Sequence, residues 1–238
     1  MSWKRRCATA AVVVPLLGAV VACGQAGAAG TGPSFYKLPW AAGQQESVLQ
    51  GNSRFDEWQH CISGCATHND DAMRYALDFD LPEATQVLAA RAGTVALANG
   101  SWPVDHCGGL SASAAGKIVS QFIGNEANFV EIDHGDGTSA LYLHLSTVTT
   151  DIERKAKSGE RVEQGEVLGL SGKTGYTQCA PHLHFQVEAS AKADWFTTSL
   201  PVSFTDHDVA ARTPDGVPVE GESYASDNIP IDSIGTAP

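Results

Sequence analysis

The feature that most constrains this chain is the division of residues 75–189 into short alternating segments closed by glycine. Tyr75, Leu77, Phe79 and Leu81 alternate with Ala76, Asp78 and Asp80, the period-two pattern of a half-buried strand. Gln86 to Leu97 reads as two strands broken at Arg91-Ala-Gly93, and Lys117 to Ile123 as one more within a Gly/Ser/Ala-rich excursion over 99–127. Asn128 to Leu145 has the form of a hairpin. Its arms are joined by His134-Gly-Asp-Gly137, whose Asp-Gly pair supplies the positive φ angles of a tight turn. Residues 158–169 add short Gly-punctuated strands, and His182 to Val187 a last one. Only 149–157 suits a short helix. The pattern predicts an all-β fold, an antiparallel β-sandwich or barrel-like single domain with short or no helices.

The two ends read differently. Lys4, Arg5 and Arg6 precede an apolar run from Ala8 to Val21, the form of a signal peptide over residues 1–22. That run is short of the roughly 20 residues a spanning helix needs. Val20-Val-Ala-Cys23 resembles the lipobox of bacterial lipoproteins, so Cys23 is a candidate lipid anchor and residues 23–34 a flexible tether. Residues 35–60 show no sustained period and join the domain, set at 35–204. Residues 205–238 are rich in Pro, Asp, Gly and Ser, and are expected to be a disordered tail. These features imply export to the bacterial cell envelope, lipid-anchored or secreted, with membrane contact through the anchor alone. Formal charge is −12 for 238 residues and becomes −15 once residues 1–22 are removed. Such a chain lacks the cations that a nucleic-acid partner demands. A monomer is expected.

Six cysteines follow the same division. Cys7 lies in the signal and Cys23 at its boundary, leaving Cys61, Cys65, Cys107 and Cys179. Four cysteines in an exported chain allow three disulfide pairings. Cys61–Cys65 with Cys107–Cys179 is preferred, since close neighbours close a small loop. A metal cluster of His60, Cys61, Cys65 and His68 is disfavoured in an oxidising compartment.

Eight histidines are present, and geometry selects among them. In a strand, His182 and His184 project to one face while Leu183 and Phe185 enter the core. In Leu-Tyr-Leu-His-Leu, alternation puts Leu141, Leu143 and Leu145 on the core face and His144 opposite, just as Asp78 opposes Leu77 and Phe79. Two imidazoles and a carboxylate suit a catalytic zinc site, in which water takes the fourth position and is acidified to a pKa of roughly 7. A nearby histidine would handle the proton. The helical His-Glu-x-x-His motif is absent, so such a site must be strand-borne.

These residues resemble a family. Tyr75-Ala-Leu-Asp-Phe79, Gly135-Asp-Gly137, Leu141-Tyr-Leu-His-Leu145, Gly165-Glu-Val-Leu-Gly-Leu-Ser-Gly172 and Ala180-Pro-His-Leu-His-Phe185 occur in the order of the lysostaphin/LytM-type zinc endopeptidases, peptidase family M23. The resemblance covers roughly residues 45–190. It implies Zn2+ held by His68, Asp78 and His184, with His144 and His182 acting in catalysis as oxyanion stabiliser or general base and acid. It also implies hydrolysis of peptide bonds in peptidoglycan stem peptides or cross-bridges. One departure concerns the first ligand: the commonest spacing, His-x3-Asp, would place it at Arg74, whereas His68 lies ten residues before Asp78 and His60 is the alternative. Another is the approach to Pro-His-Leu-His, where Cys179 and Ala180 replace the usual glycines and a Cys107–Cys179 bond could brace the rim.

Ser171-Gly-Lys-Thr174 imitates the end of a phosphate-binding loop, but the pattern demands glycine where Val167 stands. The alternative function is a non-catalytic envelope protein of the same fold that binds peptidoglycan or activates another hydrolase. Degenerate members lose ligands, whereas candidates stand here at all five positions. Asn52, Asn69 and Asp70 are candidates for an inhibitory fourth ligand from a segment that occludes the groove.

Overall fold

The computed structural model describes residues 36–51, 54–55, 61–63, 68, 72–108, 110–112, 118–120, 126–189 and 197–231. The signal, Cys23, the Cys61–Cys65 pairing, His60, Asn52, Asn69 and Asp70 therefore lie outside what can be described.

Eleven strands form one antiparallel sheet: β1 (Gln45–Gln50), β2 (Leu77–Phe79), β3 (Gln86–Leu88), β4 (Gly93–Asn99), β5 (Asn128–Asp133), β6 (Thr138–Val148), β7 (Arg161–Val162), β8 (Val167–Ser171), β9 (Leu183–Ala189), β10 (Ser199–Leu200) and β11 (Ser223–Ala225). The main path runs β7-β4-β5-β6-β9-β2-β1-β11, while β8 joins β6 to β3 and β10 pairs with β9. The described residues also include two short helices, α1 (Thr150–Ser158) and α2 (His207–Arg212), and three separate strand pairs. Helix α1 matches the sequence expectation and shows its causes. Thr149 caps it by accepting from Ile152 N, Asp151 and Glu153 open it, Lys155 and Lys157 close it, and Gly159 ends it at φ 66°.

The hairpin of β5 and β6 turns through His134–Gly137, with Gly135 and Gly137 at φ 75° and 87°. One sheet face carries Leu77, Phe79, Val130, Ile132, Ala140, Tyr142, Leu183, Phe185 and Val187 into the main core. The other face carries Asp78, His184 and Gln186, next to a smaller apolar cluster of Ala127, Phe129, Leu141 and Leu143.

This corrects the sequence reading of β6. Leu141 and Leu143 lie opposite Gln186 and His184 on the second face, whereas Leu145 enters the main core. The phase changes at His144. Asn128 pairs with Leu145 and Phe129 with Leu143, so His144 is skipped on the β5 side, and on the other side β6 passes from β9 at Leu143 to β8 at Leu145. His144 is thus a bulge residue, held at φ 69°.

The expected disordered tail is also corrected. Residues 205–231 carry α2 and β11, and β11 pairs with β1 through Gln45↔Ala225, Glu46↔Tyr224 and Ser47↔Ser223. Buried Asp206 accepts from Leu38 N at 2.8 Å and Asp227 N at 2.7 Å, tying this segment to residues 36–40. There Tyr36, Leu38 and Trp40 are fully buried with Phe204, Val209 and Tyr224. The domain therefore extends well past 204. No described helix is long and apolar enough to cross a membrane.

Candidate metal centre

Register builds the centre. His184 lies directly opposite Asp78 in the β9–β2 pair, so both side chains emerge on one face. His184 Nδ1 stands 2.9 Å from Asp78 Oδ1, and His68 Nε2 lies 3.3 Å from Asp78 Oδ2. All three residues are buried, and one donor atom from each lies within 4.8 Å of the others. His182 sits just before β9, its Nε2 4.0 Å from Asp78 Oδ1. The bulge brings His144 to the same place, its ring centroid 4.7 Å from His182 and 6.0 Å from His184. The structure thus gathers His68, Asp78, His144, His182 and His184.

Each imidazole has an oriented second nitrogen. His68 Nδ1 faces Ala76 O at 3.3 Å, His144 Nδ1 faces Thr174 O at 2.8 Å and His182 Nδ1 faces Ala180 O at 3.0 Å. A carbonyl oxygen only accepts, so in His144 and His182 Nδ1 carries the proton and Nε2 presents its lone pair when the ring is neutral, whereas His68 faces an acceptor at each nitrogen, Ala76 O and the Asp78 carboxylate. His184 is turned the other way: Nδ1 faces Asp78, and Nε2 lies 3.0 Å from Gln186 Oε1. Partners of this kind orient metal-binding histidines.

Electrostatics follow from burial and pairing. Burial alone would raise the Asp78 carboxyl, but hydrogen bonds from His184 and His68 outweigh it and hold the pKa well below the ordinary carboxylate range. Burial opposes the charged form of His184, yet the Asp78 carboxylate carries its pKa above the ordinary value. Burial, then the neighbouring His182 and His184, push His144 down to about 3. His144 is therefore neutral near pH 7.

Close backbone approach supports the wall. Gly172 bridges His182, and a Cβ there would meet Ser146 N at 2.4 Å, so only glycine lets these segments touch. Cys107 and Cys179 form a disulfide, one half of the preferred pairing, and Cys107–Gly108 runs parallel to Gly175–Tyr176. Asn128 N donates to Thr174 Oγ1, and Thr174 Oγ1 donates to Leu145 O, which fixes the carbonyl that orients His144.

Sequence reasoning missed Gln186 and Thr174. The first had a signal, because it lies two residues beyond His184 and so on the same strand face. The second acts through its main chain, which no residue type reveals.

A metal fits this donor set: two imidazoles and one carboxylate, all buried, each ring oriented by a second partner. Residues 72–194 match the model of peptidase family M23, a segment that holds Asp78, His144, His182 and His184 and begins just after His68. Among curated relatives, the chain is 31% identical over 104 residues to stage II sporulation protein Q of Bacillus subtilis, covering 43% of this chain and 33% of that protein. It is 40% identical over 60 residues to the peptidoglycan DD-endopeptidase ShyA of Vibrio cholerae, covering 25% and 12%. The chain thus spans a third or less of either relative. A solved structure of a mutant catalytic domain of the prophage-encoded M23 protein EnpA from Enterococcus faecalis aligns with 15% identity and a TM-score of 0.42, covering 69% of this chain and 94% of that one. With just over half of its length matched by the family model, the chain belongs to peptidase family M23.

Proposed function

We propose that this chain is a zinc-dependent endopeptidase that cuts peptide bonds in peptidoglycan stem peptides or cross-bridges. The observation that carries this reading is the buried set of three donor atoms within 4.8 Å of one another, flanked by two further imidazoles. His68, Asp78 and His184 would hold the ion. When bound, zinc supplies Lewis acidity, polarising a carbonyl oxygen and acidifying water to a pKa of roughly 7. His144 and His182 present Nε2 lone pairs because Thr174 O and Ala180 O accept from their Nδ1–H groups. Both are therefore set up as proton acceptors, and whichever takes the proton returns it from Nε2 to the leaving amine. Export directed by residues 1–22, with Cys23 as lipid anchor, belongs to the same proposal. It would keep an acidic enzyme beside its substrate.

A second reading, a non-catalytic envelope protein of the same fold, draws support from the similarity to stage II sporulation protein Q, whose name carries no peptidase activity. Digestion of purified peptidoglycan by the zinc-loaded chain separates the two. Release of new amino termini, abolished by a chelator and restored by zinc, supports the enzyme. A chain that binds zinc but releases none overturns it in favour of the second reading.

A further inference from the structure

We propose that Gln186, held in place by Glu188, is a positioning residue that fixes the orientation of His184 and thereby sets the affinity of the metal centre. The inference rests on the metal reading above but concerns residues that hold no ion.

His184, Gln186 and Glu188 alternate with the core residues Leu183, Phe185 and Val187, so they stand in a row on one face of β9. All three are buried. With Nδ1 facing Asp78 and committed to the metal, the single proton of a neutral His184 must sit on Nε2. That buried N–H requires an acceptor, and Gln186 Oε1 lies 3.0 Å away.

A carboxamide reads almost identically when turned by half a revolution. In the reversed orientation its NH2 group would meet the Nε2–H, two donors facing each other in a dry site. Either the metal or the hydrogen bond would then be lost. Something must choose the orientation, and Glu188 is placed to do so. Its Oε2 accepts from Thr197 N, and from Thr197 Oγ1 at 2.9 Å, so the carboxylate is anchored from outside the row. An ionised carboxylate only accepts, so it draws the NH2 end of Gln186 and leaves Oε1 for His184. Burial raises the Glu188 carboxyl, and donation from Thr197 N and Oγ1 pulls it back. Gln186 Nε2 and Glu188 Oε1 are both buried without a hydrogen-bond partner among the described residues, so each is the polar atom that the other lacks.

The row thus runs carboxylate, amide, imidazole, metal. It resembles the carboxylate–histidine pairs that steady metal ligands, with an amide inserted as spacer.

The test measures metal binding by the full chain, with zinc affinity from chelator competition and the visible spectrum of the Co2+ form. Gln186→Leu keeps the bulk but removes the acceptor. It is expected to weaken zinc binding roughly 10–100-fold and to alter the Co2+ spectrum, while the metal-free melting temperature stays close to that of the unmodified chain. Gln186→Glu restores an acceptor and should recover most of the affinity. Glu188→Gln frees the amide to turn and should weaken binding less than Gln186→Leu does. If Gln186→Leu binds zinc within threefold of the unmodified chain, or if Gln186→Glu rescues nothing, the proposal is overturned. Failure of the unmodified chain to bind zinc or Co2+ would instead sink the metal reading, and this inference with it.

Discussion

His184 stands opposite Asp78 across the β9–β2 ladder, with Nδ1 2.9 Å from Oδ1. The pair joins two strands that are 106 residues apart in sequence. The core residues beside it, Phe79 and Phe185, are fixed by the same register that aligns the donors. Packing and chemistry are thus two faces of one strand pairing. A slip by one residue would exchange them.

His68 is the ligand candidate whose role is most open to test, since it precedes the family match and stands ten residues before Asp78. Its Nε2 lies 3.3 Å from Asp78 Oδ2, and its Nδ1 faces Ala76 O. His68→Ala is expected to lower zinc affinity by more than the roughly 10–100-fold typical of a lost outer partner. Retention of one tightly bound zinc per chain would move the ligand elsewhere.

His144 is expected to serve the reaction and not the metal. His144→Ala should keep its zinc and lower kcat by about 10²–10⁴-fold. Because burial and the adjacent imidazoles push His144 down to about 3, its ring is neutral throughout the physiological range. Parallel measurements of zinc content and kcat on this variant check the division. Loss of the metal would place His144 among its holders.

How much of this was legible in the sequence depends on the range of the cause. Asp78 and His184 could be read because period two is local: each is polar between apolar neighbours that enter one core, and His182 follows as the residue two before His184. His144 was singled out and lies beside His182 and His184, but its placement on the strand was misread. One residue at positive φ shifts the phase of β6, and no alternation rule contains that shift. The C-terminal segment failed for a different reason. Its order comes from distant partners, with Asp206 accepting from Leu38 N and β11 pairing with β1, while Val202, Phe204, Val209 and Tyr224 are spaced without period.

Glu131 gives a pH test of the sheet behind the site. It is buried on β5, with Oε1 accepting from Ser139 Oγ at 2.9 Å. Burial pushes its carboxyl up to about 7 against that hydrogen bond, and the charges of Glu188 and Asp133 add to the rise. The folded pKa is above the unfolded value near 4.5, so the contribution to stability is full below pH 4.5 and is lost as pH rises through 7. Glu131→Gln escapes this loss. It should be more stable than the unmodified chain at pH 8 by roughly 1–3 kcal/mol and little different at pH 4. Denaturant unfolding at the two pH values measures this, and an equal difference at both would refute the assignment.

Gly172 should tolerate no side chain. A Cβ would lie 2.4 Å from Ser146 N and 2.7 Å from Ser146 Cα, and backbone on that side does not swing away as a flexible side chain does. Gly172→Ala is expected to cost about 2 kcal/mol or more of stability. It should also reduce kcat, because Gly172 O accepts from His182 N at 3.1 Å and so sets where that ring begins. Thermal unfolding and turnover check the two effects, and a silent substitution would show that the segments part without cost.

The disulfide supplies the sharpest separation of binding from catalysis. Cys107–Cys179 spans 72 residues and clamps the segment from Gly172 to His182 from one side. Amide donations from Gly175 to His106 O, and from Thr177 and Gln178 to Gly108 O, continue the clamp. That segment presents the Thr174 and Ala180 carbonyls, which orient His144 and His182. The metal-holding candidates depend on other elements: Asp78 on β2, His184 on β9, and His68 through Ala76 O. Replacing both cysteines with serine should therefore destabilise the fold by about 2–4 kcal/mol. At temperatures where the variant stays folded, zinc affinity should change little while kcat falls. If zinc affinity falls in step with kcat, the clamp supports the whole centre and the two imidazoles are not separately held.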